Sequence, residues 1–314
     1  MGASLGPSIV DNGLVLCFDA GDRNSYFSGS LTWKDLSGNG NNGILVNGSS
    51  FDSNNGGSIV FDGVDDYVVL NGGSFINNWN PDGISSTTDY RSYTSANIWF
   101  KSATISTLGA AKMLFSDAFG VEYGFYQNNS TFYGNAIGSV STTISANIWY
   151  NACIVADIGR PTTGTYNQSG TTTITITTTY PVTFTTGATV YVLFTKSGGP
   201  DAVPINNNYV VTVTGANTFT ITSGVSAASN GTIFYISSTN QSTVTFYLNG
   251  SLIGTNTANT SNGGNDAPFN LGRDYGSATS YWNGNISAFQ LYNRALTAVE
   301  VLQNFNTLRR RFNV

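Results

Sequence analysis

Short apolar runs separated by turn residues make up most of this chain. Three clear examples are GLVLCFDA at 13–20, GSIVFDG at 57–63 and DYVVLNG at 66–72. Runs of this length that are rich in Val, Ile, Leu and Phe and bounded by Gly, Asn and Asp are typical of β-strands. In TVTFYLNG the apolar residues Val244, Phe246 and Leu248 stand at every second position. The dipeptide Asn249-Gly250 that follows them is the strongest short hairpin signal. The pattern predicts an all-β protein.

One hexapeptide occurs twice, as SANIWF at 95–100 and as SANIWY at 145–150. We interpret the two copies as two strands of one sandwich that each present a tryptophan, Trp99 or Trp149, to a shared core. A true internal duplication is the alternative interpretation.

The segment 158–238 differs from the rest because threonine dominates it. TTTITITTTYPVTF, YVVTVTGANTFTIT and GTIFYISS place apolar residues at every second position, which predicts strands of a separate small β domain. The runs on either side of this segment look like neighbouring strands of the outer fold. We therefore predict a discontinuous outer domain, 1–157 and 239–314, with domain 158–238 inserted between strand 148–157 and strand 243–249.

The C-terminal segment predicts a helix. Thr297 with Glu300 forms a capping box, and the apolar residues Val301, Leu302, Phe305 and Leu308 recur at helical spacing. The basic run 309–311 follows at the end of the helix, where positive charge opposes the helix dipole. This structural role is favoured over an anion site.

Composition narrows the possible functions. Charged residues make up 9% of the 314 residues and the net charge is -5, so a nucleic acid partner, which needs clustered Lys and Arg, is not expected. We find neither an apolar run long enough to span a membrane nor an N-terminal secretory signal. Cys17 and Cys153 lie in apolar runs and are predicted to be buried free thiols.

Five stretches, in this order, carry a family resemblance. They are GLVLCFDAGDRNSY, WKDLSGNGNNG, GSIVFDGVDDYVVL, VTFYLNGSLIG and GNISAFQLYNRALTAVEVL. Together they resemble the laminin-G-like, concanavalin A-like jelly-roll domains of marine bacteriophage structural proteins, over residues 9–157 and 239–312. The resemblance implies a two-sheet antiparallel sandwich that often binds calcium and holds glycans or protein partners. The inserted segment is similar to small β modules of phage fibre proteins.

The resemblance also implies a calcium site in the loop DLSGNGNNG, with Asp35, Asn39 and Asn41 as ligands. Calcium needs six to eight oxygen ligands, so Asp62, Asp65 or Asp66 of FDGVDDY would have to contribute. Many relatives carry an acidic residue where this chain has Ser287, which leaves the site one carboxylate short. In the alternative interpretation Asp35 caps backbone N–H groups of a tight turn, and FDGVDDY is a polar hairpin loop.

Glycan hydrolysis is not expected from the residues. Hydrolases of this fold superfamily carry clustered acidic residues on one strand, whereas this chain has two glutamates in all, Glu122 and Glu300, and no histidine. Asp65 and Asp66 are adjacent, and adjacent strand residues point to opposite faces. We predict that the protein is not an enzyme.

Two functions are consistent with the sequence. In the first, the protein is displayed on a virion surface and binds a host glycan, with Tyr275, Tyr281 and Trp282 as stacking residues, although each could also pack in the core. In the second, it decorates or stabilises the particle without binding sugar. Both predict a multi-copy or homo-oligomeric protein that contacts capsid or tail proteins and is made in the host cytoplasm.

Overall fold

The computed structural model describes residues 8–70, 93–105, 111–116, 123–136, 139–157, 162–178, 182, 184–237, 242–258, 270–274 and 280–314. The chain divides into two compact units. The first unit, which we call the sandwich, joins Met1–Ile158 with Ser242–Val314, and the second, the inserted unit, is Gly159–Gln241. Among the described residues, no helix is long and apolar enough to cross a membrane.

The first sheet of the sandwich has eight antiparallel strands. Across the sheet these are β19 (Ser251–Ala258), β18 (Ser242–Leu248), β12 (Trp149–Asp157), β7 (Tyr93–Ser102), β21 (Asn283–Tyr292), β5 (Ser58–Asp62) and β4 (Ser50–Asp52), while β1 (Leu14–Asp19) pairs with β21. Strands β12 and β18 pair directly, with Asp157 opposite Thr243. The predicted pairing across the inserted segment is therefore confirmed.

The second sheet also has eight antiparallel strands. Across the sheet these are β11 (Ser139–Thr143), β10 (Thr131–Ala136), β9 (Tyr123–Asn128), β8 (Lys112–Ser116), β20 (Asn270–Leu271), β6 (Tyr67–Leu70), β3 (Gly43–Val46) and β2 (Thr32–Trp33). The predicted fold class, a two-sheet antiparallel jelly roll, is confirmed.

The core lies between the two sheets because every second side chain of a strand points inward. Its largest fully buried members include Phe18, Trp33, Phe61, Phe100 and Phe115. Each phenylalanine buried in this way contributes about 2–3 kcal/mol from the loss of exposed apolar surface.

The helix α1 (Ala298–Phe312) packs on the outer face of the first sheet. Thr297 is the N-cap and forms the predicted capping box with Glu300, so the predicted helix is confirmed. Phe305 and Phe312 stack on Trp99 with ring centroids 5.7 and 4.4 Å away. Leu302 was predicted to share this apolar face, but it is 45% exposed.

The repeated hexapeptide places both tryptophans under this helix. Trp99 and Trp149 belong to one buried cluster with Phe305 and Phe312. The two tryptophans therefore share a core, as predicted, but it is the layer between sheet and helix rather than the interior of the sandwich.

The inserted unit has its own sheet and its own core. Its strands are β13 (Thr162–Thr178), β14 (Thr189–Gly198), β15 (Asn207–Val210), β16 (Thr212–Gly215) and β17 (Thr218–Ser237), in the order β13-β17-β14-β15 with β16 also on β17. Ile174 and Ile176 are buried while Thr173, Thr175 and Thr177 beside them are exposed, as the period-two pattern predicts. These isoleucines pack with Val190, Phe219 and other apolar side chains of this unit.

Both cysteines are buried and free, as predicted. Burial raises the pKa of the Cys17 thiol to about 12, with a smaller contribution from the charge of Asp19. Burial also raises the pKa of the Cys153 thiol. Because the thiolate is the reactive form, both side chains act as small apolar core residues.

Candidate functional site

The outer face of the second sheet carries a pair of stacked tyrosines. Tyr126 on β9 and Tyr133 on β10 are directly paired across the strands, and their rings lie 4.5 Å apart and almost parallel, at 4°. Phe125 and Phe132, their sequence neighbours, are fully buried in the core, so both tyrosines point away from it. Burial, and to a smaller extent the charge interaction with the Tyr133 hydroxyl group, raises the pKa of Tyr126.

A second aromatic group lies on the same face. Tyr67 on β6 alternates with the buried residues Val68 and Leu70 and is therefore turned outward. The guanidinium carbon of Arg273 is 3.7 Å from the centre of the Tyr67 ring, in close cation–π contact. We call Tyr67, Tyr126 and Tyr133, with Arg273, the tyrosine face.

The two aromatic groups are separated by the width of several strands. Strands β6 and β9 are three spacings apart in the sheet, which corresponds to about 14 Å. The chain just before Trp282 runs between them, because the Met113 amide of β8 donates to the Ser280 carbonyl, 3.1 Å away. The tyrosine face therefore spans the length of a short oligosaccharide rather than that of one sugar ring.

The three residues predicted from the sequence to bind a glycan, Tyr275, Tyr281 and Trp282, differ in their exposure or lie outside the described residues. Trp282 is fully buried and meets Phe100 edge-on in the core, so it cannot stack on a sugar, and this part of the prediction is corrected. Tyr281 is partly exposed and lies next to β8, between the two aromatic groups. Tyr275 lies outside the described residues.

Sequence reasoning missed Tyr126 and Tyr133, although a signal was present. YGFYQN and TFYGNA are two runs with the same aromatic order, separated by the turn residues 129 and 130. Pairing about that turn brings Tyr126 opposite Tyr133 and turns Phe125 and Phe132 inward. Treating the two runs as one hairpin would have predicted an aromatic pair on its outer face.

The loop 35–43 is organised by the carboxylate of Asp35. Its Oδ1 accepts hydrogen bonds from the amides of Cys17 (2.9 Å) and Ser37 (2.8 Å). Its Oδ2 accepts from the Ser37 hydroxyl (2.7 Å) and the Asn41 amide (3.0 Å). Gly38 and Gly40 have φ of 86° and 77°, angles that favour glycine. The carboxylate thus performs the capping role that the turn interpretation gives it.

The two predicted asparagine ligands use their amide nitrogens to hold the neighbouring strand. Asn41 Nδ2 donates to the Val15 carbonyl at 2.7 Å, and Asn39 Nδ2 donates to the carbonyls of Leu14 and Val15. In this arrangement the loop is fixed to β1 by hydrogen bonds. Calcium ligation by Asp35, Asn39 and Asn41 stays a prediction.

Three carboxylates converge in the second acidic loop. Asp62, Asp65 and Asp66 each offer an oxygen within 4.8 Å of the others. The expectation that Asp65 and Asp66 point to opposite faces is wrong, because residues 63–65 form a bend rather than a strand. Burial raises the pKa of Asp66, whose Oδ2 accepts the Asp62 amide at 3.1 Å. These oxygens are of the kind that could hold a hard cation.

Ser287, the position where relatives carry an acidic residue, contacts an arginine. Ser287 Oγ donates to the Gly57 carbonyl and accepts from Arg311 Nη2, both at 2.6 Å. The same guanidinium donates to the Gly57 and Asn55 carbonyls and forms an ion pair with Asp19, N to O 2.6 Å. Oxygen atoms from four residues therefore surround one fixed positive charge. Arg311 therefore fixes the end of the helix to the sandwich by direct contacts, while the predicted role of the basic run, opposing the helix dipole, stays a prediction.

Part of the chain matches the model of a known protein family. The model of the Laminin_G_3 family, described as the concanavalin A-like lectin/glucanases superfamily, matches residues 202–302. This range contains β18 to β21 of the sandwich and the last part of the inserted unit. No curated protein matches the sequence.

Several solved structures are similar in fold at low sequence identity. The binding domain of Paraclostridial Mosquitocidal Protein 1 has a TM-score of 0.50 and 14% identity, over 95% of this chain and 52% of that one. The binding domain of botulinum neurotoxin DC, solved with rat synaptotagmin II, has a TM-score of 0.50 and 10% identity over the same shares. This chain thus spans about half the length of those two chains.

A third similar structure is a domain of a bacterial enzyme. Domain 4 of AbnA, an extracellular arabinanase from Geobacillus stearothermophilus solved with arabinotriose, has a TM-score of 0.46 and 14% identity, over 93% of this chain and 97% of that one. The superfamily match and the sheet topology agree on the type of fold, an antiparallel jelly-roll sandwich similar to the concanavalin A-like lectins.

Proposed function

We propose that this chain is a non-enzymatic, lectin-like protein that holds a glycan chain across the tyrosine face. The observation that carries the proposal is the stacked pair Tyr126–Tyr133 on an outward face of the second sheet. Partly exposed aromatic rings offer a flat apolar surface to the C–H face of a sugar, while their hydroxyl groups stay available for hydrogen bonds.

Tyr67 and Arg273 add a second contact on the same face. The guanidinium group brings planar donors that suit sugar hydroxyl and carboxylate oxygens. Since this pair lies about 14 Å from Tyr126 by strand spacing, a glycan of several units would contact both groups. A single sugar ring would contact one group alone and would bind more weakly.

The biological setting that we propose is the surface of a phage particle. It rests on the resemblance of the five sequence stretches to phage structural proteins and on the low charged fraction of 9%. In this setting the protein is made in the host cytoplasm and present in many copies on the capsid or tail. Antibody labelling of intact particles, with the copy number measured by mass spectrometry, tests this part of the proposal.

Decoration of the particle without sugar binding is the second candidate. Phe27 and Leu31 favour it, since they are 56% and 71% exposed and lie in one loop of the sandwich. These residues are four positions apart, and an exposed apolar patch on a protein surface can mark a protein interaction site. If this candidate holds, Leu31→Asp abolishes particle attachment and no glycan is retained by the wild type.

The decisive experiment measures glycan retention. We expect wild-type protein to bind members of an array of bacterial surface glycans, and Tyr126→Ala and Tyr133→Ala to weaken this binding at least tenfold. Tyr191→Ala is the matched control, because Tyr191 is 37% exposed but lies in the inserted unit. Binding that is unchanged in both tyrosine-face variants, or absent in the wild type, contradicts the proposal.

Hydrolysis is not part of the proposed function. Both carboxylate oxygens of Glu300 are engaged by Arg294, at 2.6 and 2.9 Å, and Glu122 lies outside the described residues. Asp62 Oδ1 and Asp66 Oδ2 accept amides of their own loop. We expect no release of reducing ends from laminarin, agarose or capsular glycan. Release that disappears in Asp66→Asn would refute this expectation.

A further inference from the structure

The inserted unit contains a pocket at a break in its sheet. The register of β13 and β17 shifts between two neighbouring pairs, because Thr171 lies opposite Ala227 whereas Thr173 lies opposite Thr222. Four residues of β17, 223–226, therefore lie opposite one residue of β13, Thr172. This bulge and the loop between β14 and β15 enclose a cavity of about 420 Å³. Its walls include Gln168, Asp201, Ile205, Tyr209, Ser223 and Val225. A cavity of this size is within the usual range for small-ligand sites.

Hydrogen bonds fix the walls of the pocket before any ligand binds. Gln168 Nε2 donates to the Ser223 hydroxyl and the Val225 carbonyl, at 2.9 and 2.7 Å, and so holds the bulge. Asp201 and Ala228 exchange two hydrogen bonds, through the Asp201 carboxylate and amide, which fasten the loop to β17. Pre-formed walls lower the entropic cost of binding.

Two apolar side chains at the pocket are unusually exposed. Ile205 and Val225 are 71% and 64% exposed, one on the loop and one on the bulge. Their burial by an apolar group would be favourable, by about 25 cal/mol for each Å² covered. The pocket is therefore suited to a ligand that brings a small apolar group between these two side chains.

The side-chain oxygen of Gln168, in the wall of the pocket, is an acceptor that a ligand could use. Gln168 is 2% exposed, and within the part of the chain that the structure describes its Oε1 accepts no hydrogen bond, since Nε2 makes all the contacts of this amide. A ligand N–H group that donates to this oxygen would form a hydrogen bond that the described part of the protein does not itself supply. The carboxylate of Asp201 disfavours an anion, and the Lys196 ammonium, 2.6 Å from the Asp201 carbonyl, disfavours a strong cation.

We propose that this pocket binds the acetamido group of an N-acetylated sugar. The group is neutral and joins a methyl group to an N–H donor, which matches the apolar pair Ile205 and Val225 and the free Gln168 oxygen. The site is separate from the tyrosine face and does not depend on it. The inserted unit thereby gives the chain a second and chemically distinct sugar contact.

Saturation-transfer NMR on the full chain tests the proposal. The probes are N-acetylglucosamine and N-acetylgalactosamine, with glucose and galactose as parent sugars that lack the acetamido group. We expect the strongest transfer to the acetamido methyl protons and at least tenfold weaker binding of the parent sugars. Equal binding of acetylated and parent sugars, or no transfer to any of them at millimolar concentration, overturns the proposal.

Matched variants locate the site. Val225→Glu places a charge in the pocket and is expected to reduce the acetamido signal at least tenfold, while Val210→Glu, which is 66% exposed on β15 of the same unit, leaves it unchanged. Both positions are exposed, so equal melting temperatures would show that both variants fold. Ile205→Asp, on the opposite wall, repeats the test. A signal that survives in Val225→Glu and Ile205→Asp but disappears in Tyr126→Ala would assign the sugar to the tyrosine face and refute the pocket.

Discussion

The two outer faces of the sandwich carry the same class of residue in two different states. On the first sheet, Trp99 stacks on Phe312 at 4.4 Å under helix α1 and is fully buried. On the second sheet, Tyr126 stacks on Tyr133 at 4.5 Å and remains partly exposed. Trp99 is therefore part of the core because the helix covers it, whereas Tyr126 and Tyr133 keep accessible ring surface, which is the surface that the proposed glycan site uses.

The largest effect is expected where the helix contacts the first sheet. Phe312→Ala removes a side chain that is 4% exposed and touches both Trp99 and Trp149, so it should lower the free energy of unfolding by about 3 kcal/mol. Val299→Ala, 75% exposed on the same helix, should cost under about 0.5 kcal/mol. Urea unfolding curves measure both. Equal costs for the two variants would mean that the helix adds little stability to this face.

The arginine that ties the helix end to the sandwich should come next. Arg311→Ala leaves Asp19 without its ion pair and removes donors from the Gly57 and Asn55 carbonyls. We expect a loss of about 2 kcal/mol, because partly buried oxygens lose a charged donor. Arg310→Ala is the control, since Arg310 is exposed. A similar loss in both variants would show a general effect of helix charge.

A substitution of Asp35 tests whether a bound cation contributes to the stability of the sandwich. Asp35→Asn weakens the acceptor of four hydrogen bonds and should cost about 2 kcal/mol. We expect the melting temperature of the wild type to be the same with calcium and with a chelator, because these bonds already close the loop. A wild-type melting temperature that rises with calcium, and does not rise in Asp35→Asn, would instead establish the metal site.

The start of the helix should show a defined pH dependence. The Arg294 guanidinium lowers the pKa of Glu300 to about 2, below its ordinary 4.5. A carboxylate with a lowered pKa stabilises the fold above 4.5, and this stabilisation is lost as the pH falls towards 2. Glu300→Gln should cost about 1 kcal/mol at neutral pH and should flatten the fall in stability between these pH values. The free energies of unfolding of the wild type and of Glu300→Gln, measured at several pH values, check this prediction. Parallel pH curves for the wild type and the variant would contradict it.

The smallest effect is expected from removing the inserted unit. Replacing 158–242 by Asn-Gly would join Asp157 to Thr243, which already face each other across β12 and β18, by a two-residue turn. Sandwich stability should change by under about 1 kcal/mol, and glycan retention on the tyrosine face should persist. Calorimetry and the glycan array measure the two outcomes. An unfolded product would show that the two units are not independent, and would refute the predicted domain division.

Features that depend on nearby residues were predictable from the sequence. The capping box of Thr297 and Glu300 lies within four residues, and the alternation of Ile174 and Ile176 with threonine lies within one strand. The pairing of β12 with β18 crosses the inserted unit, but it too was predictable, because both partners are strongly apolar runs that flank one compositional change.

Features that depend on which surface is covered were not predictable. Trp282 and Tyr281 are adjacent in sequence, yet Trp282 is fully buried and Tyr281 is partly exposed. The burial of Trp282 depends on a distant strand, since its ring meets Phe100 of β7 in the core. Likewise the contact of Arg311 with Asp19 joins residues 292 positions apart, and no local pattern indicates it.

The closure of the sandwich by its first and last elements has a consequence for biosynthesis. Strand β1 pairs only with β21 among the described strands, and Asp19 forms its ion pair with Arg311, near the end of the chain. A ribosome must therefore synthesise beyond residue 292 before the first strand can find its partner, and beyond residue 311 before Asp19 can find its counter-charge. Contacts so distant in sequence slow folding and leave an apolar strand exposed in the nascent chain. LVLCFD is thus a segment of this chain that is expected to need a chaperone during translation.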